Sequence, residues 1–174
     1  MGETAMNLIG AMLVMLGCTA AGIIKAHSLS QLDKTYSTLI SALMIMKSEI
    51  SSRAAALDDV LSIVFGAVTG DAARFIEAVI GDFSKLGDET FCTIWSSAAE
   101  SCLQCVSQRS LSALKALGGS LGRYDSSMQC EAIDRCISEL SAEQKSLRET
   151  LGANKRMYVG IGGAAGLITA IVLI

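Results

Sequence analysis

Apolar residues recur along this chain in three patterns. The first is an unbroken run: no residue between Glu3 and Lys25 is charged, and residues 5–24 are almost wholly apolar. At roughly 1.5 Å rise per residue that run spans about 30 Å, the thickness of a bilayer core. A second uncharged run, residues 157–174, follows Lys155 and Arg156 and spans about 27 Å, enough for a thin or locally thinned bilayer. A buried core helix is rarely apolar on every face for so long. The runs predict two transmembrane helices, 5–24 and 157–174, around a central domain of residues 25–156.

The second pattern is a seam. Leu29, Leu32, Tyr36, Leu39, Leu43, Met46 and Ile50 recur at alternating steps of three and four, the a/d spacing of a coiled coil. A second seam through Ile133, Ile137, Leu140, Gln144, Leu147 and Leu151 leads into the C-terminal run, with Gln144 as its polar member. The polar face beside it (Glu139, Glu143, Lys145, Arg148, Glu149) reads as solvated. Together the seams predict a long antiparallel helix pair, each helix continuous with its span.

The third pattern is a set of shorter amphipathic segments punctuated by glycine. Leu57, Val60, Leu61 and Val64 mark one. Phe75, Ile76, Val79 and Phe83 mark the next, with Asp71 as the expected N-cap after Gly70. Phe91, Ile94, Trp95 and Ala98 mark a third. Leu111, Leu114, Leu117 and Leu121 mark a fourth, before Gly122 and a cap at Asp125. No stretch alternates apolar with polar long enough for a strand. The fold class is therefore all-α: two transmembrane helices flanking a cytoplasmic helical bundle with a long antiparallel pair.

Composition supports this. The 174 residues contain no proline, where average usage would supply about eight, and a proline inside a helix costs roughly 3 kcal/mol. Hydrophobic residues make up 51% and charged residues 18%, too apolar for a disordered chain. A net charge of −3 argues against a nucleic-acid binder, which needs a clustered basic face.

Charge also orients the chain. Lys25 and Lys34 follow the first run, and Lys155 and Arg156 precede the second, so the positive-inside rule places 25–156 in the cytoplasm and both termini outside. A signal peptide would need a positive n-region, whereas only Glu3 is present. A lipoprotein box at Cys18 lacks the small residue two places before it. In a reducing cytoplasm the six cysteines are free thiols. Within the runs, Gly17 with Ala21, Gly160 with Ala164, and Gly162 with Gly166 have the small-xxx-small spacing that lets helices approach closely in lipid.

Catalytic motifs are fragmentary. Residues 118–122 match the G-x-S-x-G elbow, but the segment before them has helical periodicity and the only histidine, His27, lies beside the first run. A serine without a base is a weak nucleophile, so these glycines read as a helix break. Cys102 and Cys105 form a lone C-x-x-C that reads as lying inside a helix. Cys130 and Cys136 have poor zinc spacing, though all four together would supply four thiolates. Walker, H-E-x-x-H and G-x-G-x-x-G motifs are absent. The residues call for no enzyme, catalytic residue, metal or cofactor; the alternative to a scaffold is a membrane-bound thiol-based metal or redox sensor.

Several pieces in order carry a family resemblance: Leu39-Ile40-Ser41-Ala42-Leu43 with Glu49-Ile50; Trp95; Leu121-Gly122-Arg123-Tyr124-Asp125 with Gln129; and Tyr158-x-Gly160 with Gly166-Leu167-Ile168. In these the chain resembles, over almost its whole length, the stage III sporulation protein AB family of endospore-forming Firmicutes. It departs from the family in lacking proline after Glu49, in a few extra residues before the first run and in its many cysteines. The resemblance implies a protein of the mother-cell membrane facing the forespore, in a complex proposed to form a channel between the two. The family is related in organisation to the inner-membrane platform proteins of type II secretion and type IV pili. It further implies a scaffold that couples a cytoplasmic ATPase, stage III sporulation protein AA, to other membrane proteins of the complex. Leu121, Gly122, Asp125 and Gln129 are the expected structural or partner residues, at a helix–turn–helix corner. Homo-oligomers fit the same picture.

Overall fold

The computed structural model describes residues 28–52, 56–122 and 125–173, and over 152–173 only the backbone path. The chain divides into two units, Leu32–Thr150 and a second made of the two terminal segments. All regular elements among the described residues are helical: α1 over 28–52, α2 Leu57–Ala67, α3 Asp71–Gly81 with a 3-10 turn Asp82–Lys85, α4 Phe91–Cys102, α5 Gln108–Gly118 and α6 Ser126–Leu173.

The first seam is the buried face of α1. Tyr36, Leu39, Leu43, Met46 and Ile50 are buried, with Leu32 packed against them. On α6, Ile133, Leu140 and Gln144 are buried, while Ile137 and Leu147 pack at the edge and Cys136 takes a core position. That drift follows from the helix period of about 3.6 against a seam of 3.5. The two helices run antiparallel. Lys47 Nζ lies 2.7 Å from Asp134, and Asp33 lies 2.6 Å from Arg148 Nε. The step of fourteen from 33 to 47 on α1 thus matches the step of fourteen from 148 back to 134 on α6, two heptads on each.

The short helices form the rest of the core. Trp95 of α4 is fully buried, with Phe75 of α3 edge-on at 4.7 Å and Phe91 at 5.7 Å between ring centroids. Its indole Nε1–H donates to the Leu114 carbonyl of α5 at 2.7 Å, which satisfies the polar end of a buried ring. Gly118 makes this packing possible: a Cβ there would sit 2.7 Å from Trp95 Cγ. Thr90 caps α4 and Ser107 caps α5, each accepting the N–H three residues on, from Thr93 and Ser110.

Three details differ from the sequence reading. Gly70, at φ 70°, is the N-cap of α3, and Asp71 is its first helical residue with no capping bond; a left-handed backbone there suits glycine. Cys102 ends α4, and Cys105 lies in the turn beyond it, because buried Leu103 leaves the helix at φ −114°, ψ 38°. Helix α5 stops at Gly118, so Leu121 is buried from a turn and not from a helix. Among the described residues no helix is long and apolar enough to cross a membrane. The run 5–24 lies outside them, as do the side chains of 157–174.

Candidate functional site

Among the described residues of the Leu32–Thr150 body, the buried polar groups pin helices together. Gln144 is the clearest case. It is 8% exposed on the α6 seam, and its Nε2 donates to the Asp33 carbonyl, to Asp33 Oδ1 and to Ser37 Oγ at 3.1, 3.0 and 2.6 Å. Arg148, one turn on, donates to Asp33 Oδ1 and Oδ2 at 2.6 and 3.3 Å. A polar residue at a seam position fixes register, because any slip leaves it buried without partners.

A second polar knot ties α1 to the α4–α5 turn and the start of α3. The Tyr36 hydroxyl, on a residue 2% exposed, accepts the Ser107 N–H at 3.1 Å and shares a hydrogen bond with Ser110 Oγ at 3.2 Å. Thr35 donates to Asp71 Oδ2 at 3.0 Å, and Arg74 pairs with the same carboxylate. Cys105 Sγ donates to Asp71 at 3.7 Å.

The corner between α5 and α6 brings four sequence-picked residues together. Leu121 is 1% exposed and anchors it. Gly122 turns the chain at φ 72°, a conformation that favours glycine. Asp125 precedes α6: its Oδ1 accepts the Met128 N–H at 3.4 Å and its Oδ2 accepts Ser127 Oγ–H at 3.0 Å. Gln129 Oε1 reaches back to accept the Gly122 N–H at 3.4 Å. In the spacing Leu-Gly-x-x-Asp-x-x-x-Gln each polar member thus accepts a backbone N–H beside a helix end.

The other picked residues are placed differently. Gly17, Ala21 and His27 lie outside the described residues, as do Arg123 and Tyr124. Gly160, Gly162 and Gly166 lie along the backbone path of α6. Two members of the face read as solvated are engaged: Glu139 pairs with Arg109 at 2.7 Å, and Arg148 holds Asp33.

Two of the described thiols lie where ionisation is disfavoured. Cys92, Cys102, Cys105, Cys130 and Cys136 are free. Burial, and then Asp71, push the Cys105 thiol up. Burial, reinforced by Glu139, pushes Cys136 up to about 12. Reactive and metal-binding cysteines need the opposite, a stabilised thiolate. The sensor alternative draws no support from these surroundings.

A cleft of about 230 Å³ between α5 and α6 is lined by Ala113, Ala116, Ser120, Ala132, Arg135 and Glu139, among others. Its charged members are paired, Arg135 with Glu131 and Glu139 with Arg109.

Sequence reasoning missed the pins. Gln144 stood out as polar in a seam, but its partner Asp33 sits on α1, 111 residues away. Tyr36 read as a core aromatic, and Gly118 as a helix stop only.

Fold and polar groups together define an all-α body built on a register-pinned antiparallel helix pair. The profile of the family described as Stage III sporulation protein AB matches residues 7–174, and the chain belongs to that family. It is a sporulation protein on that ground. A solved structure entitled "Stage III sporulation protein AB (SpoIIIAB)" matches with a TM-score of 0.60 and 18% identity, over 68% of this chain and 94% of that one; at this identity the likeness is one of fold. A search of curated proteins gives no match.

Proposed function

We propose that the chain is a non-enzymatic membrane scaffold in the sporulation complex between mother cell and forespore. Two spans, 5–24 and 157–174, hold it in the mother-cell membrane facing the forespore, with both termini outside and residues 25–156 in the cytoplasm. The cytoplasmic body couples the sporulation ATPase, stage III sporulation protein AA, to the other membrane proteins of the complex. The observation that carries the reading is the family match over residues 7–174. It is supported by the two uncharged runs and by an α6 helical from Ser126 through Leu173. Pinned seams suit a part that transmits position, because a fixed register keeps one end of a helix pair coupled to the other. In this reading Leu121, Gly122, Asp125 and Gln129 shape the corner for a partner, and Gly17, Ala21, Gly160, Gly162 and Gly166 pack the spans.

The test is genetic. A sporulating host lacking this chain should lose heat-resistant spores and recover them with the full chain supplied in the mother cell. Normal spore counts in its absence would sink the proposal.

A further inference from the structure

Helix α2 carries apolar residues on both sides. Val60, Leu61 and Val64 point into the core and are fully buried. The outer side is open to solvent: Asp58, Asp59, Ser62, Ile63, Phe65 and Gly66 are all exposed, with Ile63 at 42% and Phe65 at 41%. Asp59, Ser62, Ile63 and Gly66 follow the i, i+3, i+4, i+7 spacing of a single stripe, and Phe65 lies on its flank.

Gly66 is an independent sign. Within a helix glycine is less favourable than alanine by roughly 1 kcal/mol, yet a Cβ at Gly66 would meet nothing within 4 Å. Nothing inside the body requires the missing side chain. The open space there leaves room for a backbone approaching from outside, and glycine permits a close approach.

Charge identifies what approaches. Helix α2 itself holds two acids, Asp58 and Asp59, and no base. Asp58 and Asp59 have no ion-pair partner among the described residues. Acids beside the apolar stripe disfavour an anionic lipid surface, which attracts Lys and Arg. A second copy docking face to face would set the same aspartates against each other, a like-charge contact that costs stability.

We propose that the outer face of α2, formed by Asp58, Asp59, Ser62, Ile63, Phe65 and Gly66, docks a cationic amphipathic helix of a partner protein. The partner's apolar side covers Ile63 and Phe65, its backbone comes close at Gly66, and its Lys or Arg residues meet Asp58 and Asp59. This rests on the scaffold reading and names the face through which the scaffold acts.

The test uses the full chain in sporulating cells, with the photocrosslinker p-benzoylphenylalanine in place of Ile63. The adduct is mapped by mass spectrometry. The expected peptide belongs to another protein and carries Lys or Arg at helical spacing beside apolar residues. Asp58→Asn with Asp59→Asn should lower adduct yield at least about tenfold. Gly66→Gln should do the same while leaving the melting temperature of the purified chain unchanged or raised, which separates blocked docking from lost folding. An adduct only with lipid or with a second copy, a mapped peptide without cations, no adduct, or yields indifferent to these variants would overturn the proposal. Spore counts of the deletion strain, taken alongside, report the scaffold role separately: spores lost on deletion with no cationic adduct reject the face and leave the role.

Discussion

The α1–α6 pair and the α3–α4–α5 cluster are held by different kinds of contact. In the cluster, a buried tryptophan is clasped by two aromatic rings and a close-fitting glycine, with its single polar atom satisfied by one carbonyl. Along the pair, the seam is aliphatic apart from Tyr36 and Met46, and polar groups that join α1 to α6 recur at its edges and once inside it: Lys47 with Asp134, Arg148 with Asp33, and Gln144. Apolar packing supplies most stability but is tolerant of sliding, whereas polar pins add little energy and penalise every wrong register. The cluster thus keeps the body folded, and the pins keep the two long helices in step. For a scaffold the second property matters as much as the first.

If the division is right, the largest loss comes from the cluster. Trp95→Ala should cost about 3–5 kcal/mol, read from urea unfolding of the purified chain followed by circular dichroism. A loss under about 1 kcal/mol would mean that the aromatic clasp is not the centre of the core. Gly118→Ala should come next, at about 1–3 kcal/mol, because the new methyl overlaps the Trp95 ring. Paired with Trp95→Phe, the same change should cost less than it does alone, which a double-mutant cycle measures.

The pair responds more mildly. Gln144→Ala should cost about 1–2 kcal/mol, whereas Gln144→Leu should stay within about 1 kcal/mol of the parent, since leucine suits a seam position. Spin labels at Ser41 and Ser141 should then show a broader distance distribution in Gln144→Leu than in the parent. An unchanged distribution would show that Gln144 does not set register.

The Cys136 thiol gives a pH signature where α6 faces α5. Its pKa rises from 9.0 to about 12 on folding. Below pH 9 it is neutral in both states, and its contribution is fully present. Above pH 9 the unfolded thiol ionises first, so stability falls by up to about 1.4 kcal/mol per pH unit until about pH 12. Cys136→Ala should flatten the unfolding midpoint between pH 8 and pH 10; an equally steep fall would assign the alkaline loss elsewhere. The smallest effect is Asp125→Ala, about 1 kcal/mol, seen as a lower midpoint with unchanged helix content.

What was legible in the sequence follows the same division. The α1 seam was readable because seven apolar positions keep one period, and five of them are buried. The glycine-bounded segments gave four short helices in the right places. Endings were harder. Ile94, Ala98 and Cys102 keep a four-residue step, so α4 read as continuing, and only the tertiary burial of Leu103 ends it there. The start of α5 did carry a signal, Ser107 three residues before Ser110, which is the spacing of a capping hydroxyl. Asp71 had the right chemistry for a cap, but Gly70 takes the position, and the carboxylate turns to Thr35, Arg74 and Cys105. Pins between α1 and α6 join residues more than eighty positions apart, and no local pattern encodes such partners. The corner at Leu121–Gln129 was visible as a motif, while the bond from the Gly122 N–H to Gln129 Oε1 that explains its spacing was not.

Coupling is the central claim, and co-purification tests it most directly. Affinity-tagged full-length chain would be solubilised in mild detergent from sporulating mother cells and its companions quantified. The account predicts that the sporulation ATPase is retained with the parent chain. Retention should fall when the α2 face carries Asp58→Asn, Asp59→Asn and Gly66→Gln, with the melting temperature held. An ATPase absent from the parent preparation, while other membrane components of the complex co-purify, would contradict it.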